Sequence, residues 1–236
     1  MKSYFLTVWT LLFTLTLIAQ NSQSSLADDI DAIEQKVIDW RHHFHQNPEL
    51  SNREFKTAEM IAAHLNSLGM EVQTGIAKTG VVGILKGDQP GKVVALRADI
   101  DALPVTERND LPFKSNVTTT FLGKETGVMH ACGHDTHTAI LMGVAEVLSQ
   151  HKDKINGTVK FIFQPAEEGA PKGENGGAKM MVEEGVLKNP DVDVIFGLHI
   201  SAGMPVGHIS YRPAGIMAAS QGYSIKVKGK QTHGSR

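Results

Sequence analysis

Between residues 28 and 69 the hydrophobic positions recur at helical spacing. In DDIDAIEQKVIDWRHHFHQ (28–46), Ile30, Ile33, Val37 and Trp40 fall three and four residues apart, which predicts a helix with one face on a core. NPEL breaks the pattern, and EFKTAEMIAAHLNSLG (54–69) predicts a second helix stopped by Gly69. The period then shortens. VVGILKG (81–87), KVVALRA (92–98), TVKFIFQ (158–164) and VDVIFGL (192–198) are short β-rich runs. Helical stretches separate the last three: THTAILMGVAEVLSQH (136–151), with Ile140, Val144, Val147 and Leu148 on one side, and GAKMMVEEGVL (177–187). Near-continuous apolar strands alternating with helices predict an α/β fold, with helices flanking a mostly parallel sheet. From residue 211 the pattern changes. YSIKVKG (223–229) alternates like a half-exposed strand and suggests the start of a second domain.

The first residues follow neither period. Lys2 precedes an apolar run over residues 4–19, followed by the polar NSQSS and by small residues at Ser25 and Ala27. This is the layout of a secretory signal peptide cut after Ala27. The competing reading is an uncleaved membrane anchor, which four threonines in the run disfavour. The expectation is export, with no stable membrane insertion after cleavage. The composition of the whole 236-residue chain adds little: a formal charge of −2 and 41% hydrophobic residues suit a chain that buries a real core. There is no basic stripe to favour nucleic acid, and no unit of about 20 to 50 residues repeats. Cys132 is the only cysteine, so in an oxidising compartment its thiol needs burial or a metal.

Chemistry-bearing residues follow each of the last three predicted strands. KVVALRA runs into Asp99 and Asp101; the next helix is preceded by Cys132, His134, Asp135 and His137; TVKFIFQ leads to Glu167 and Glu168; VDVIFGL leads to His199. Ligands of open α/β sheets lie outside the carboxyl ends of the strands, so these segments are expected to converge on one crevice. Each alone has a bland reading. Asp99 and Asp101 are also what a solvated loop looks like, as are the adjacent Glu167 and Glu168. The sharper reading of that pair is a division of labour, one carboxylate on a metal and its neighbour handling protons. A thiolate and an imidazole at Cys132 and His134 suit zinc and similar ions. A cysteine nucleophile is the rival, and it leaves the carboxylates unexplained. Asp135 reads as a helix N-cap, and His137 and His199 as either structural or metal-facing. His42, His43 and His45 read as helix packing or surface. GENGGAK (173–179) lacks the spacing of a phosphate loop and reads as a flexible turn.

Taken together, RHHFHQNPELSNREF, ALRADIDALPV, MHACGHDTHTAILMGVA, FIFQPAEEG, GENGGAKMMVEEGVL and VIFGLH resemble the amidohydrolase branch of the dinuclear aminoacylase and carboxypeptidase metallopeptidases. Hippurate hydrolases, N-acyl-amino-acid amidohydrolases, N-acetyl-diaminopimelate deacetylases and auxin-conjugate hydrolases belong to it. The resemblance runs from about residue 32 to the end, in the family's motif order. It implies that Cys132, His134, Glu168 and His199 bind metal and that Glu167 is the catalytic base. Asp99, Asp101, Asp135 and His137 would line or support the site. GKQTHGS (229–235) stands where the family has a GKGGHAA-like motif, so His233 would polarise the scissile carbonyl, in a lid and dimerisation domain.

Further implications are one or two divalent ions per subunit (Zn²⁺, Mn²⁺ or Co²⁺), an N-acyl amino acid substrate and a homodimer when full length. The implied layout is a signal over 1–27, the N-terminal part of a catalytic domain over 28–211 and the start of the lid over 212–236. Family members continue to a last histidine ligand, so this chain alone is expected to bind metal weakly and turn over little. An exopeptidase of the same fold, or an inactive exported protein, is the alternative.

Overall fold

The computed structural model describes residues 25–217, 223 and 225–235. All but the last three residues of the expected leader therefore lie outside the described residues. The chain divides into two compact units, Met1–Ile200 and Ser201–Arg236; the expected boundary lay eleven residues later, after residue 211. Among the described residues of the second unit none is in a helix or strand, including those of the expected strand 223–229. No helix among the described residues is long and apolar enough to cross a membrane.

Helix α1 (Leu26–Gln46) starts on a capping box. Ser25 Oγ accepts the Asp28 N–H at 3.1 Å, and Asp28 Oδ2 accepts the Ser25 N–H at 3.0 Å. Such a cap stabilises a helix by about 1 kcal/mol. Its inward face runs through Ile33, Val37 and Trp40 to the buried Phe44, while Ile30 remains exposed. Helix α2 (Phe55–Ser67) ends before Gly69, whose φ of +72° is the left-handed conformation that stops a helix.

The sheet comprises β1 (Glu71–Ile76), β2 (Gly80–Lys86), β3 (Gln89–Asp99), β6 (Asn156–Gln164) and β7 (Val194–Gly197), in the order β1-β2-β6-β3-β7. The α/β class is as expected, but parallel pairing is confined to β6-β3-β7. There α3 (His134–Gln150) connects β3 to β6, and α4 (Gly177–Glu183) connects β6 to β7. The β1–β2 and β2–β6 pairs are antiparallel; for the first, a tight turn joins the strands, and only antiparallel strands close that way. Three strands have no counterpart in the hydrophobic pattern. β1 is an edge strand with no buried residue. β4 (Thr118–Phe121) and β5 (Lys124–Gly127) form a short hairpin of mainly polar residues.

Helices α1, α2 and α3 cover one face of the sheet, and α4 packs on β6 from the other. Phe161 and Phe163 point into the first layer with Leu65, Leu85 and Met142, while Ile162 points into the second with Met181. The most buried side of α3 carries Leu141, Met142 and Ala145; Ile140 and Val144 are half-buried. A Cβ on Gly143 would stand 2.7 Å from Val37 Cγ2, so glycine there lets α1 approach α3. In mid-strand, Lys160 is buried. Its ammonium donates to the carbonyls of Val186, Lys188 and Pro190 at 3.0, 2.7 and 3.2 Å, fastening the segment that leads into β7.

Candidate metal centre

Parallel pairing brings the carboxyl ends of β3, β6 and β7 to one edge, with Asp99 in register with Gln164. Each strand is followed at once by candidate residues: Asp99 to Asp101, Pro165 to Glu168, and His199. Helix α3 supplies the rest from its first turn, starting at His134 with Gly133 as its cap. Gly133 has a φ of +93°, and this left-handed residue turns the chain from Cys132 into the helix.

His134 is the centre of the arrangement and is 1% exposed. Its Nδ1 donates to the Asp101 carbonyl at 2.8 Å and lies 3.3 Å from Asp101 Oδ1. That leaves Nε2 as the nitrogen with a free lone pair. It is buried and has no hydrogen-bond partner among the described residues. Around it stand Asp99 Oδ1 at 3.6 Å, Glu167 Oε2 at 3.7 Å and Glu168 Oε1 at 3.9 Å. These separations are too long for hydrogen bonds. A bare imidazole nitrogen facing three carboxylates in a buried position is an energetic liability unless a cation lies among them.

The second half of the donor set is Cys132 and His199. Cys132 Sγ is 3.5 Å from His199 Nε2, and His199 Nδ1 donates to the Ile200 carbonyl at 2.6 Å, so Nε2 presents its lone pair to the sulfur side. Cys132, His134 and His199 bring one ligand atom each within 4.8 Å of one another, and so do His134, Glu167 and Glu168. Thiolate, imidazole and carboxylate donors meeting in this way fit a divalent metal. Burial pushes the Cys132 thiol up to about 11, with Glu168 and Glu167 adding to the effect. A nucleophilic cysteine needs the opposite shift, whereas a bound cation offsets both causes. Burial likewise raises Glu168.

The supporting residues divide into two groups. His137 donates from Nδ1 to Asp99 Oδ1 at 2.7 Å and accepts the Ile200 N–H on Nε2 at 3.0 Å. Both ring nitrogens are used, so His137 is a brace between Asp99 and the residue after His199. Asp99 also accepts from Arg97 Nη1 at 2.7 Å. Burial would raise its carboxyl, but His137, Arg97 and His134 together hold it down at about 2. Asp101 accepts the Glu167 N–H on Oδ1 and the Glu168 N–H on Oδ2, both at 3.0 Å, and the Ser51 hydroxyl at 2.7 Å.

Asp135 departs from expectation. It makes no cap, because Gly133 occupies that position, and its carboxylate turns to α1 instead. There Oδ2 accepts from Arg41 Nε at 3.0 Å and from His45 Nδ1 at 2.9 Å. His45 Nε2 in turn meets Glu107 Oε1 at 3.1 Å. His45 is therefore neither surface nor simple packing: it is a buried ring between two carboxylates, and the Asp135 hydrogen bond is the main cause of its raised pKa, opposed by burial. The GENGGAK turn is tethered. Glu174 takes Arg53 Nη2 and Lys78 Nζ at 2.6 Å and Asn52 Nδ2 at 3.0 Å.

His233 belongs to the second unit, where its Nδ1 accepts the Ser235 N–H at 3.3 Å. Sequence reasoning missed Ser51, Glu54, Arg97, His45 and Glu107. Their signal is weak, since each looks like an ordinary polar residue at a helix end, strand or loop.

Comparison with known proteins gives this site its context. The profile of peptidase family M20/M25/M40 matches residues 95–233, more than half of the chain. Thermostable carboxypeptidase 2 of Saccharolobus solfataricus is 48% identical over 211 residues, covering 89% of this chain and 50% of that protein. The N-acyl-L-amino acid amidohydrolase of Geobacillus stearothermophilus is 44% identical, covering 87% of this chain and 52% of that protein. The chain thus spans about half the length of the curated relatives it matches. Among solved structures, the Bacillus subtilis YXEP protein, described as a dinuclear metal binding peptidase from the M20 family, superposes with a TM-score of 0.65. It is 43% identical, and the match covers 75% of this chain and 45% of that one. A profile match over most of the chain, a shared fold and a donor set at the strand ends have one consequence: the chain belongs to peptidase family M20/M25/M40.

Proposed function

We propose that this chain carries the metal-binding half of an amidohydrolase that cleaves the amide bond of N-acyl amino acids. The observation that carries the reading is the buried, unpartnered His134 Nε2 facing Asp99, Glu167 and Glu168. Cys132, His134, Glu168 and His199 would hold the ion or ions, one or two per subunit, and their mixed donors suit Zn²⁺, Mn²⁺ or Co²⁺. Such an ion lowers the pKa of a water toward neutrality and polarises a carbonyl.

Glu167 takes the proton handling. Its side chain is 41% exposed, against 22% for Glu168, so of the two neighbours it is the one open to substrate and water. It accepts the proton of the attacking water and returns it to the departing amine nitrogen. Asp101 orients both carboxylates through their backbone N–H groups, and Asp99 with His137 steadies the chain beside His199. His233 is assigned to the carbonyl oxygen, supplied from the lid of the same subunit or of the partner in a homodimer. A second reading, an exopeptidase acting on peptide termini, draws on the carboxypeptidase relative at 48% identity.

The test is a panel of N-acyl amino acids and dipeptides offered to the metal-loaded full-length protein and to its E167Q variant. Faster turnover of the acyl amino acids is expected. E167Q should keep its metal and lose about 10² to 10⁴ of the rate. Undiminished hydrolysis by E167Q would remove Glu167 from the role, and preference for dipeptides would favour the exopeptidase.

A further inference from the structure

The turn that carries Glu167 and Glu168 is held by more than Asp101. Three consecutive backbone N–H groups, those of Ala166, Glu167 and Glu168, point into the protein. The last two end on Asp101. The first is taken by Glu54, whose Oε1 accepts the Ala166 N–H at 2.9 Å. Ala166 has a φ of +49°, a left-handed conformation that an L-residue adopts only under constraint. Successive N–H groups around such a residue form an anion-binding concavity. Here two buried protein carboxylates fill it, one from each side.

Glu54 is fully buried. It precedes the first residue of α2 without capping that helix. Its other oxygen, Oε2, accepts the Thr79 hydroxyl at 2.6 Å, so it ties the start of α2, the β1–β2 turn and the exit of β6 together. A third side is closed by Gly177, where a Cβ would stand 2.8 Å from the Ala166 carbonyl oxygen. The consequence concerns the neighbouring side chains. Glu167 and Glu168 both lean on the point next to His134 Nε2, although like charges favour separation. A turn free to relax would let them part.

We propose that Glu54 is a positioning residue of the metal site: by holding Ala166 in its left-handed conformation, it keeps the two adjacent carboxylates converged on one cation. This rests on the reading of Glu168 as a ligand and Glu167 as the base. Glutamine at position 54 preserves the acceptor for Ala166 and still meets the Thr79 hydroxyl, which can rotate to accept. Aspartate is one methylene short and cannot span both partners.

The experiment compares the 236-residue chain with E54Q, E54D and E54A by amide hydrogen exchange over residues 165–169 and by Co²⁺ titration followed through the cysteine-thiolate charge-transfer band. E54D and E54A should speed exchange in that turn by at least about tenfold while the strands keep their protection. They should also weaken Co²⁺ binding by about 10- to 100-fold. E54Q should stay within about threefold of the parent chain on both readouts. Unchanged exchange and affinity in E54D overturn the proposal, and so does E54Q failing as badly as E54D. If E54A does not fold, the E54D and E54Q pair decides. E168A separates the two layers of the argument: undiminished Co²⁺ binding in E168A removes Glu168 as a ligand, while the exchange result still judges Glu54.

Discussion

Asp101→Asn replaces one oxygen by an NH₂ where four hydrogen-bonding groups meet. Oδ1 faces the Glu167 N–H at 3.0 Å and His134 Nδ1 at 3.3 Å, while Oδ2 faces the Glu168 N–H at 3.0 Å and the Ser51 hydroxyl at 2.7 Å. An NH₂ on the Oδ1 side would oppose two donors that cannot reverse. On the Oδ2 side it opposes only one, because the Ser51 hydroxyl can turn and accept. The amide therefore settles with its nitrogen toward Ser51, and Glu168 is the residue that loses its anchor.

Bonds to a charged acceptor contribute about 1.5–3 kcal/mol each. One is lost outright and the others are weakened, so the variant should be less stable by about 2–4 kcal/mol in urea unfolding at neutral pH. The difference should depend on pH in one direction. Burial raises the Asp101 carboxyl, but His134, Ser51 and the two backbone N–H groups bring it below its ordinary value. A depressed carboxyl contributes stability that is fully present above its unfolded pKa of about 3.8 and is lost as pH falls through the folded value. The two proteins should therefore converge in acid. Equal stability at pH 7, within about 0.5 kcal/mol, would refute the account of Asp101, as would a gap that widens in acid.

Two further outcomes follow from buried charges away from the metal donors. His45 has its pKa raised by Asp135 and Glu107, so the stability it contributes is fully present below about pH 6.5 and lost as pH rises through the raised value; the stability gap between parent and His45→Gln, from urea midpoints across that range, should shrink with rising pH, and a gap that grows would contradict the assignment. Lys160→Met removes the donor shared by three carbonyls and should cost about 2–4 kcal/mol in the same assay; a variant as stable as the parent would mean that burying the ammonium cancels its bonds.

The parts of the molecule legible in the sequence share a physical property: their signal is local. Strands such as TVKFIFQ are buried along most of their length, so they appear as apolar runs, and helical spacing marks α1 and α2 within a few residues. Once β3, β6 and β7 are parallel neighbours, their carboxyl ends share an edge, and the polar residues that follow them meet without further information. That is why Asp99, Glu167, Glu168 and His199 could be grouped from spacing and chemistry. β1 was invisible because EVQTGI has only Val72 and Ile76 as large apolar residues, too few to stand out as a run. Asp135 was misassigned because a helix-start aspartate looks the same whether it caps its own helix or reaches across to α1; only the position of Gly133 decides.

The residues that brace the donors were illegible for a different reason. Ser51 meets Asp101 fifty positions later, His45 meets Glu107 sixty-two positions later, and Glu54 meets Ala166 after 112. Before folding, each is a polar residue beside a helix end or break, the setting in which solvent exposure is the ordinary outcome. Their burial follows from the need to satisfy inward-pointing N–H groups and rings that the fold itself creates. Donor residues are conspicuous by type and place: a lone cysteine beside histidines, and a glutamate pair just after an apolar strand. The frame that aims them is built from common residues and depends on partners that no local pattern identifies. Glu54 and Asp101, from distant segments, hold the three N–H groups of the turn that carries two adjacent carboxylates, and in the proposed site that hold is what keeps both on one ion. The specificity of this site therefore resides as much in that frame as in the ligands.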